Sequence, residues 1–173
     1  MLLEFGSFNP RGNLPLEVAR KRQESNFVGA FARLFLSEME GRGFGGKNFA
    51  LSGFGIADFV WFEGRGGKKT PQITAFEMKM KDWRKAVAQA HRYSYFADQS
   101  VVVLPEKTAE LAREALETFR RLEVGLWSFS PQTERIIRLY TPTRRKARSE
   151  KAKTKAVEQF STKFNFGKLR KKT

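Results

Sequence analysis

The chain has 173 residues, 40% of them apolar and 13% aromatic, which is enough apolar side chain for one folded domain with an appendage. It contains no cysteine, which excludes disulfides, thiolate zinc sites and cysteine nucleophiles. Lys and Arg outnumber Asp and Glu by 33 to 18, a net charge of +15 that indicates a polyanionic partner, either nucleic acid or an anionic membrane surface.

The first half of the chain predicts a long helix followed by strands. Pro15 suits the first turn of a helix that runs to about Glu40, where glycines stop it. The glycines of segment 41–46 lack the Gly-Lys-Ser/Thr ending of a phosphate-binding loop, so we interpret the segment as a flexible connection. The β-favouring segments 58–62 and 73–79 then predict a hairpin around a turn rich in Gly and Lys.

The second half alternates helices and strands. A helix is predicted over 82–97, and the three valines of segment 100–104 indicate a strand that is buried on both faces, which implies a parallel crossover. A second helix over 106–122 and two strands near 124–129 and 135–140 follow. The expected fold class is α/β, with a mixed central sheet flanked by helices in a domain of residues 1–142.

The last 31 residues, 143–173, carry 12 Lys and Arg against two Glu. This composition predicts a basic, flexible tail that binds phosphates, and the phenylalanines between 160 and 166 leave a docked element as the alternative. The residues of the tail expected to contact nucleic acid are Arg144, Arg145 and Lys146.

Two acidic residues stand where a core strand would be apolar. Asp58 opens one strand of the predicted hairpin, and on the other strand alternation places Glu77 and Lys79 on one face. Carboxylates on adjacent strands can hold Mg²⁺ through oxygen ligands, and a lysine beside them can orient or deprotonate a water. The alternative is a structural ion pair on a solvated strand.

The first predicted helix offers a further acidic residue. Glu24 and Glu38 fall near its apolar stripe, where a carboxylate is costly to bury without a cation. Glu24 is the preferred third metal ligand, because Glu38 lies near the Gly-rich end and can reach solvent.

At Asp58, Glu77 and Lys79 the sequence resembles the PD-(D/E)xK nuclease superfamily, although Ala57 stands where the family name has Pro. The segment from Gln89 to Tyr93 resembles the Q-x-x-x-Y element of the RecB-type branch. The resemblance implies a restriction-endonuclease-like fold and a Mg²⁺-dependent nuclease, with Mn²⁺ as an alternative ion. It further implies DNA as the substrate, a 5′-phosphate product, and a Gln89 that holds Lys79 or the attacking water.

The helix that carries Gln89 is also basic. Its residues expected to contact nucleic acid are Lys81, Arg84, Lys85, Arg92 and Tyr93. A basic helix face can equally be merely solvated.

The expected activity is therefore metal-dependent hydrolysis of nucleic acid, with endonuclease and exonuclease action, branched or single-stranded substrates, and a homodimer all left open. The alternative from another class is a noncatalytic nucleic-acid-binding protein that uses the basic tail. Attachment to a membrane surface through the tail is the weakest of the three interpretations, because the tail lacks the apolar face of an interfacial helix. The N-terminal sequence lacks the pattern of a secretory signal, and no apolar run reaches the length of a bilayer span, so a soluble cytoplasmic protein without a membrane partner is expected.

Overall fold

The arrangement of the chain was analysed in a computed structural model, which describes residues 16–64 and 70–164. Five helices and six strands follow one another along these residues, in an order that is helix, three strands, helix, strand, two helices, two strands and helix. Their bounds are α1 Leu16–Glu38, β1 Gly43–Leu51, β2 Gly55–Glu63, β3 Gln72–Met78, α2 Trp83–Tyr93, β4 Gln99–Leu104, α3 Glu106–Arg113, α4 Leu116–Leu122, β5 Val124–Ser130, β6 Arg135–Tyr140 and α5 Glu150–Phe164.

The strands form one mixed sheet whose spatial order is the order of the sequence. Strands β1, β2 and β3 pair antiparallel, β3, β4 and β5 pair parallel, and β6 returns antiparallel to β5. The α/β class and the mixed sheet are therefore confirmed, as are the hairpin of β2 with β3 and the parallel crossover through α2.

The sheet is covered on both faces, and each face has its own apolar cluster. Helix α1 covers one face with Phe27, Phe31 and Phe35, which pack against aromatic residues of β2, β3 and β5. Helices α2, α3, α4 and α5 cover the other face. The sheet therefore forms the middle of three layers, and the two faces are covered by very unequal amounts of helix.

Three predicted elements differ from the structure. The helix predicted over 82–97 ends at Tyr93. The glycine-rich segment interpreted as a flexible connection forms the start of β1, because its glycines let neighbouring side chains approach the backbone: a Cβ on Gly45 would lie 2.5 Å from the Phe59 ring. The helix predicted over 106–122 is two helices, α3 and α4, with Ala115 outside helical geometry between them. Pro15, the expected helix start, lies outside the described residues.

The C-terminal segment differs most from the expectation of a flexible tail. The main chain of residues 145–149 bonds to the segment after α2, and α5 packs on the sheet through Ala152, Ala156 and Phe160. The ring of Phe160 stacks on Phe62 at a centroid distance of 3.8 Å. Charge alone predicts a solvated chain here, but the small and aromatic residues spaced four apart give α5 an apolar stripe. Residues 165–173 of the predicted tail lie outside the described residues.

A buried ion pair fixes α5 to the middle of the sheet. Lys153 Nζ lies 2.8 Å from both oxygens of the Asp98 carboxylate, and Asp98 Oδ2 also accepts a hydrogen bond from the Ile73 amide at 2.7 Å. Both charged residues are less than 10% exposed. Asp98 therefore connects α5 to the start of β3, the strand that carries Glu77 at its other end.

Within residues 16–64 and 70–164, no helix is both long enough and apolar enough to cross a membrane.

Replacing Lys153 by Met should lower the free energy of unfolding by about 3 kcal/mol, because the Asp98 carboxylate would stay buried without its cation. Lys151→Met is the matched control, since Lys151 is exposed on the same helix. Urea unfolding followed by circular dichroism measures both variants. An equal loss of stability in the two variants would contradict the structural role of the pair.

Candidate active site

At Asp58 the side chains of β2 switch from one face of the sheet to the other. Ala57 packs in the cluster beneath α2, whereas Phe59 packs beneath α1, although residues two apart on a regular strand share a face. The paired residues of β1 and β2 skip Asn48 and Asp58, and Asn48 has a left-handed φ of 52°. The strand pair is thus irregular at this point, which frees the Asp58 side chain from the regular alternation.

The Asp58 carboxylate takes the place of a main-chain partner at the end of β3. Its Oδ2 accepts a hydrogen bond of 2.7 Å from the Met78 amide, one residue beyond Glu77. Burial raises the pKa of Asp58, although the Met78 hydrogen bond and the nearby Lys79 ammonium oppose that rise. The bond places the two acids predicted from the sequence on neighbouring strands at one edge of the sheet.

Glu77 is almost completely buried, with 1% of its surface exposed. Burial, followed by repulsion from Asp58, raises the pKa of Glu77 to about 7, even though Tyr93 and Lys79 favour the charged form. Two neighbouring carboxylates whose pKa values are both raised mark this place as a candidate functional site.

Tyr93 reaches the site from α2. Its hydroxyl oxygen lies 2.5 Å from Glu77 Oε2 and 2.7 Å from the Ile56 carbonyl oxygen. One hydroxyl hydrogen cannot serve both acceptors fully, and protonation of Glu77 removes the conflict, because Glu77 then donates to Tyr93 and Tyr93 donates to Ile56. Burial and the neighbouring Glu77 carboxylate raise the pKa of Tyr93, so the hydroxyl keeps its proton.

Lys79 joins the strand carboxylates to the first helix. Its Nζ lies 3.3 Å from Glu77 Oε1 and 3.3 Å from Glu24 Oε1. Burial lowers the pKa of Lys79, but Glu77, Asp58 and Glu24 outweigh that effect and raise it overall, so the side chain is an ammonium. Glu24, expected as a metal ligand, is held by Lys79 in this arrangement.

Gln89 lies one turn before Tyr93 on α2. Its Oε1 is buried, and among the described residues it has no hydrogen-bond partner. A buried amide oxygen without a partner loses the hydrogen bonds that it would make to water, so an acceptor is available here for a group that the protein does not supply.

The basic residues divide between the two ends of the sheet. Lys81, Arg84 and Lys85 are exposed around the start of α2, close to the end of β3 that carries Glu77, and Arg92 is exposed at the end of the helix. Arg144 instead pairs with Glu63 and bonds to Gln72, at the opposite end of the β2–β3 hairpin. The structure therefore does not bring the first basic residues of the C-terminal segment to the carboxylates.

Three residues expected to contact nucleic acid, Tyr93, Arg145 and Lys146, differ in exposure. Tyr93 is corrected: it is 1% exposed and bonds to Glu77, so it is not on the surface that a nucleic acid would contact. Arg145 is exposed, although its guanidinium lies 2.7 Å from Glu123, and Lys146 is exposed beside it. The four-residue spacing from Gln89 to Tyr93, which places both on one helix face, was the available signal for the role of Tyr93 in the site.

The donor set fits a hard divalent cation. Asp58 and Glu77 supply carboxylate oxygens, and Mg²⁺ is commonly bound by one or two carboxylates while it keeps several waters. Among the described residues, no group of three or more Asp, Glu or His side chains is arranged to hold a metal. Asp58 and Glu77 are the candidate ligands, with further oxygens from main chain or solvent, and Glu24 as a third ligand stays a prediction.

The comparisons with known proteins assign no family. No protein-family model matches the chain, and no curated protein is significantly similar to it.

Stability in EDTA should fall as the pH rises from about 4.5 to 7. In that window the folded protein keeps the Glu77 proton that the unfolded chain has released, so the folded state binds more protons and loses stability with rising pH. Glu77→Gln should reduce the fall and leave the variant more stable than wild type at pH 8, by an amount on the order of 2 kcal/mol. Unfolding in urea at several pH values measures both proteins.

The exposed Glu117, replaced by Gln, is the control for charge alone. If the Glu77→Gln variant follows the wild-type pH profile, then Glu77 does not carry the unfavourable ionisation inferred here.

Proposed function

We propose that the protein hydrolyses phosphodiester bonds in nucleic acid with the help of a divalent cation, Mg²⁺ or Mn²⁺. The observation that supports this proposal best is the convergence of Asp58, Glu77 and Lys79 from β2 and β3 at one edge of the sheet. It matches the Asp and Glu-x-Lys pattern of the nuclease superfamily that the sequence resembles. The mixed sheet between helices is compatible with a restriction-endonuclease-like fold.

In this proposal Asp58 and Glu77 bind the cation, and the Met78 carbonyl is a further candidate ligand. The amide and carbonyl of one strand residue point to the same side, and the Met78 amide points to Asp58. When bound, the ion would lower the pKa of a coordinated water and neutralise charge that develops on the phosphate. A cation would also offset the mutual repulsion of the two carboxylates.

The remaining roles fall to Lys79, Tyr93 and Gln89. Lys79 is an ammonium shared between Glu77 and Glu24, so it suits orientation of a water and stabilisation of phosphate charge. Tyr93 is a positioning residue, because its hydroxyl holds Glu77 Oε2. Gln89 has an open buried acceptor that suits a water or the Lys79 ammonium, as the resemblance implies.

DNA is the proposed substrate, on the resemblance alone. The net charge of +15 supports either DNA or RNA as the substrate. Lys and Arg side chains supply the phosphate contacts that dominate the affinity of a protein for nucleic acid.

Cation binding can be tested without any substrate. Mg²⁺ or Mn²⁺ at millimolar concentration should raise the melting temperature at pH 8, because an ion that binds only the folded protein stabilises it. Asp58→Asn should abolish this rise, whereas Asp82→Asn, a substitution at the helix cap of α2, should keep it. An equal rise in all three proteins would show that the ion binds elsewhere.

Hydrolysis is tested by divalent-dependent cleavage of supercoiled, linear, branched and single-stranded DNA, with EDTA as control. Lys79→Ala should lower the cleavage rate by about 10²-fold or more, as expected for loss of a group that acts on the reacting water. Arg113→Ala, at an exposed position on α3, is the control for the loss of one positive charge and should retain most of the activity. Binding of all four DNAs without cleavage by wild type would favour the noncatalytic alternative.

A further inference from the structure

Three cavities adjoin one another along the edge of the sheet that carries the carboxylates, and α1 lines all three. Their volumes are about 180, 670 and 530 Å³. Glu24 lines both the first and the second cavity, and Gln23 and Met80 line both the second and the third. The three are therefore neighbouring depressions at this end of the sheet, and we call the three together the trough. Asp58 lies in its first cavity and Lys79 in its second.

Cations line the trough along its whole length. They are Lys21 and Lys47 in the first cavity, Arg20 and Lys81 in the second, and Arg33 and Lys107 in the third. Besides Asp58 and the Lys79-paired Glu24, the acids that line the trough are Asp82 and Glu106, which lie at the starts of α2 and α3, where a carboxylate favours the helix. The trough thus offers phosphate contacts on both sides of the candidate active site.

The third cavity differs in character from the rest of the trough. Met80, Pro105 and Pro131 are its partly exposed apolar lining residues, above the buried rings of Phe27 and Phe129, and Asn26 and Gln132 add polar amides to the lining. An exposed nucleobase has the same two features, an apolar ring face and polar edges that form hydrogen bonds. The volume of about 530 Å³ falls within the range of pockets that bind one small molecule. A base within a duplex is stacked and paired, so it cannot enter such a pocket.

We infer that the trough binds single-stranded nucleic acid, with one unpaired nucleotide in the third cavity and a phosphate of the same strand beside Asp58 and Glu77. The position of that phosphate rests on the proposed function. The preference for a single strand rests on the shape, lining and charge of the trough.

Binding is measured in EDTA, so that no cleavage occurs, by fluorescence anisotropy of a labelled oligonucleotide of about 12 nucleotides and of the matching duplex. The single strand should bind more tightly than the duplex. Arg33→Gln combined with Lys107→Gln should weaken single-strand binding about tenfold and make the log–log salt dependence shallower by about 1.4, as expected for two lost phosphate contacts. Arg113→Gln combined with Arg121→Gln removes the same charge from exposed positions on α3 and α4 and should have little effect.

A second variant tests the cavity without changing any charge. Ala30 lines the third cavity on α1, and Met at this position would fill it while preserving helix propensity. Ala30→Met should weaken single-strand binding and leave duplex binding unchanged, whereas Ala88→Met on the exposed side of α2 should change neither. Circular dichroism and melting temperature establish that each variant is folded.

Equal affinity of wild type for the single strand and the duplex would overturn the inference, as would unaltered single-strand binding by Ala30→Met. The proposed function would be refuted by a different result. Absence of divalent-dependent cleavage, with the binding pattern above intact, would refute the nuclease and leave the single-strand trough standing.

Discussion

Two neighbouring carboxylates, those of Asp58 and Glu77, lie at the end of a mostly apolar sheet, where burial makes their charged forms unfavourable. An acid that is as buried as Glu77 is unfavourable when charged, and a second acid on the next strand increases the cost. Three neighbouring groups reduce that cost. The Met78 amide donates a hydrogen bond to Asp58, the Tyr93 hydroxyl is hydrogen-bonded to Glu77, and the Lys79 ammonium lies beside Glu77. Each of these contacts offsets part of the cost of placing two acids at the end of the sheet.

The aromatic core beneath α1 determines where Glu24, the acid on the first helix, lies. Phe31 and Phe35 contact Phe59 and Phe76 on the sheet, with ring centroids 5.1 to 6.2 Å apart. These contacts set the rotation of the helix about its own axis, and Glu24 lies two turns before Phe31 on nearly the same side. The same packing that stabilises α1 therefore carries Glu24 to Lys79 and aligns the basic residues of the helix with the edge of the sheet.

Local patterns in the sequence predict much of this arrangement. The alternation around Glu77, the valines of β4 and the cap at Asp82 each specify an element through its immediate neighbours, and the hairpin and crossover follow from their order. The change of face at Asp58 could not be predicted in this way, because it arises from the pairing with β1. The same holds for α5, whose charge indicates a solvated chain until Asp98 and the ring of Phe62 are placed opposite it. The burial of Tyr93 likewise depends on Glu77, which lies 16 residues away in sequence.

The docking of α5 makes the candidate active site dependent on the most C-terminal of the described helices. Asp98 bonds to the start of β3, yet its carboxylate stays without its buried cation until Lys153 arrives. The apolar face beneath α2 is likewise open until Phe160 covers Phe62. A nascent chain emerges from the ribosome N-terminal end first, so the strand that carries Glu77 is secured only after nearly the whole described chain has left the exit tunnel.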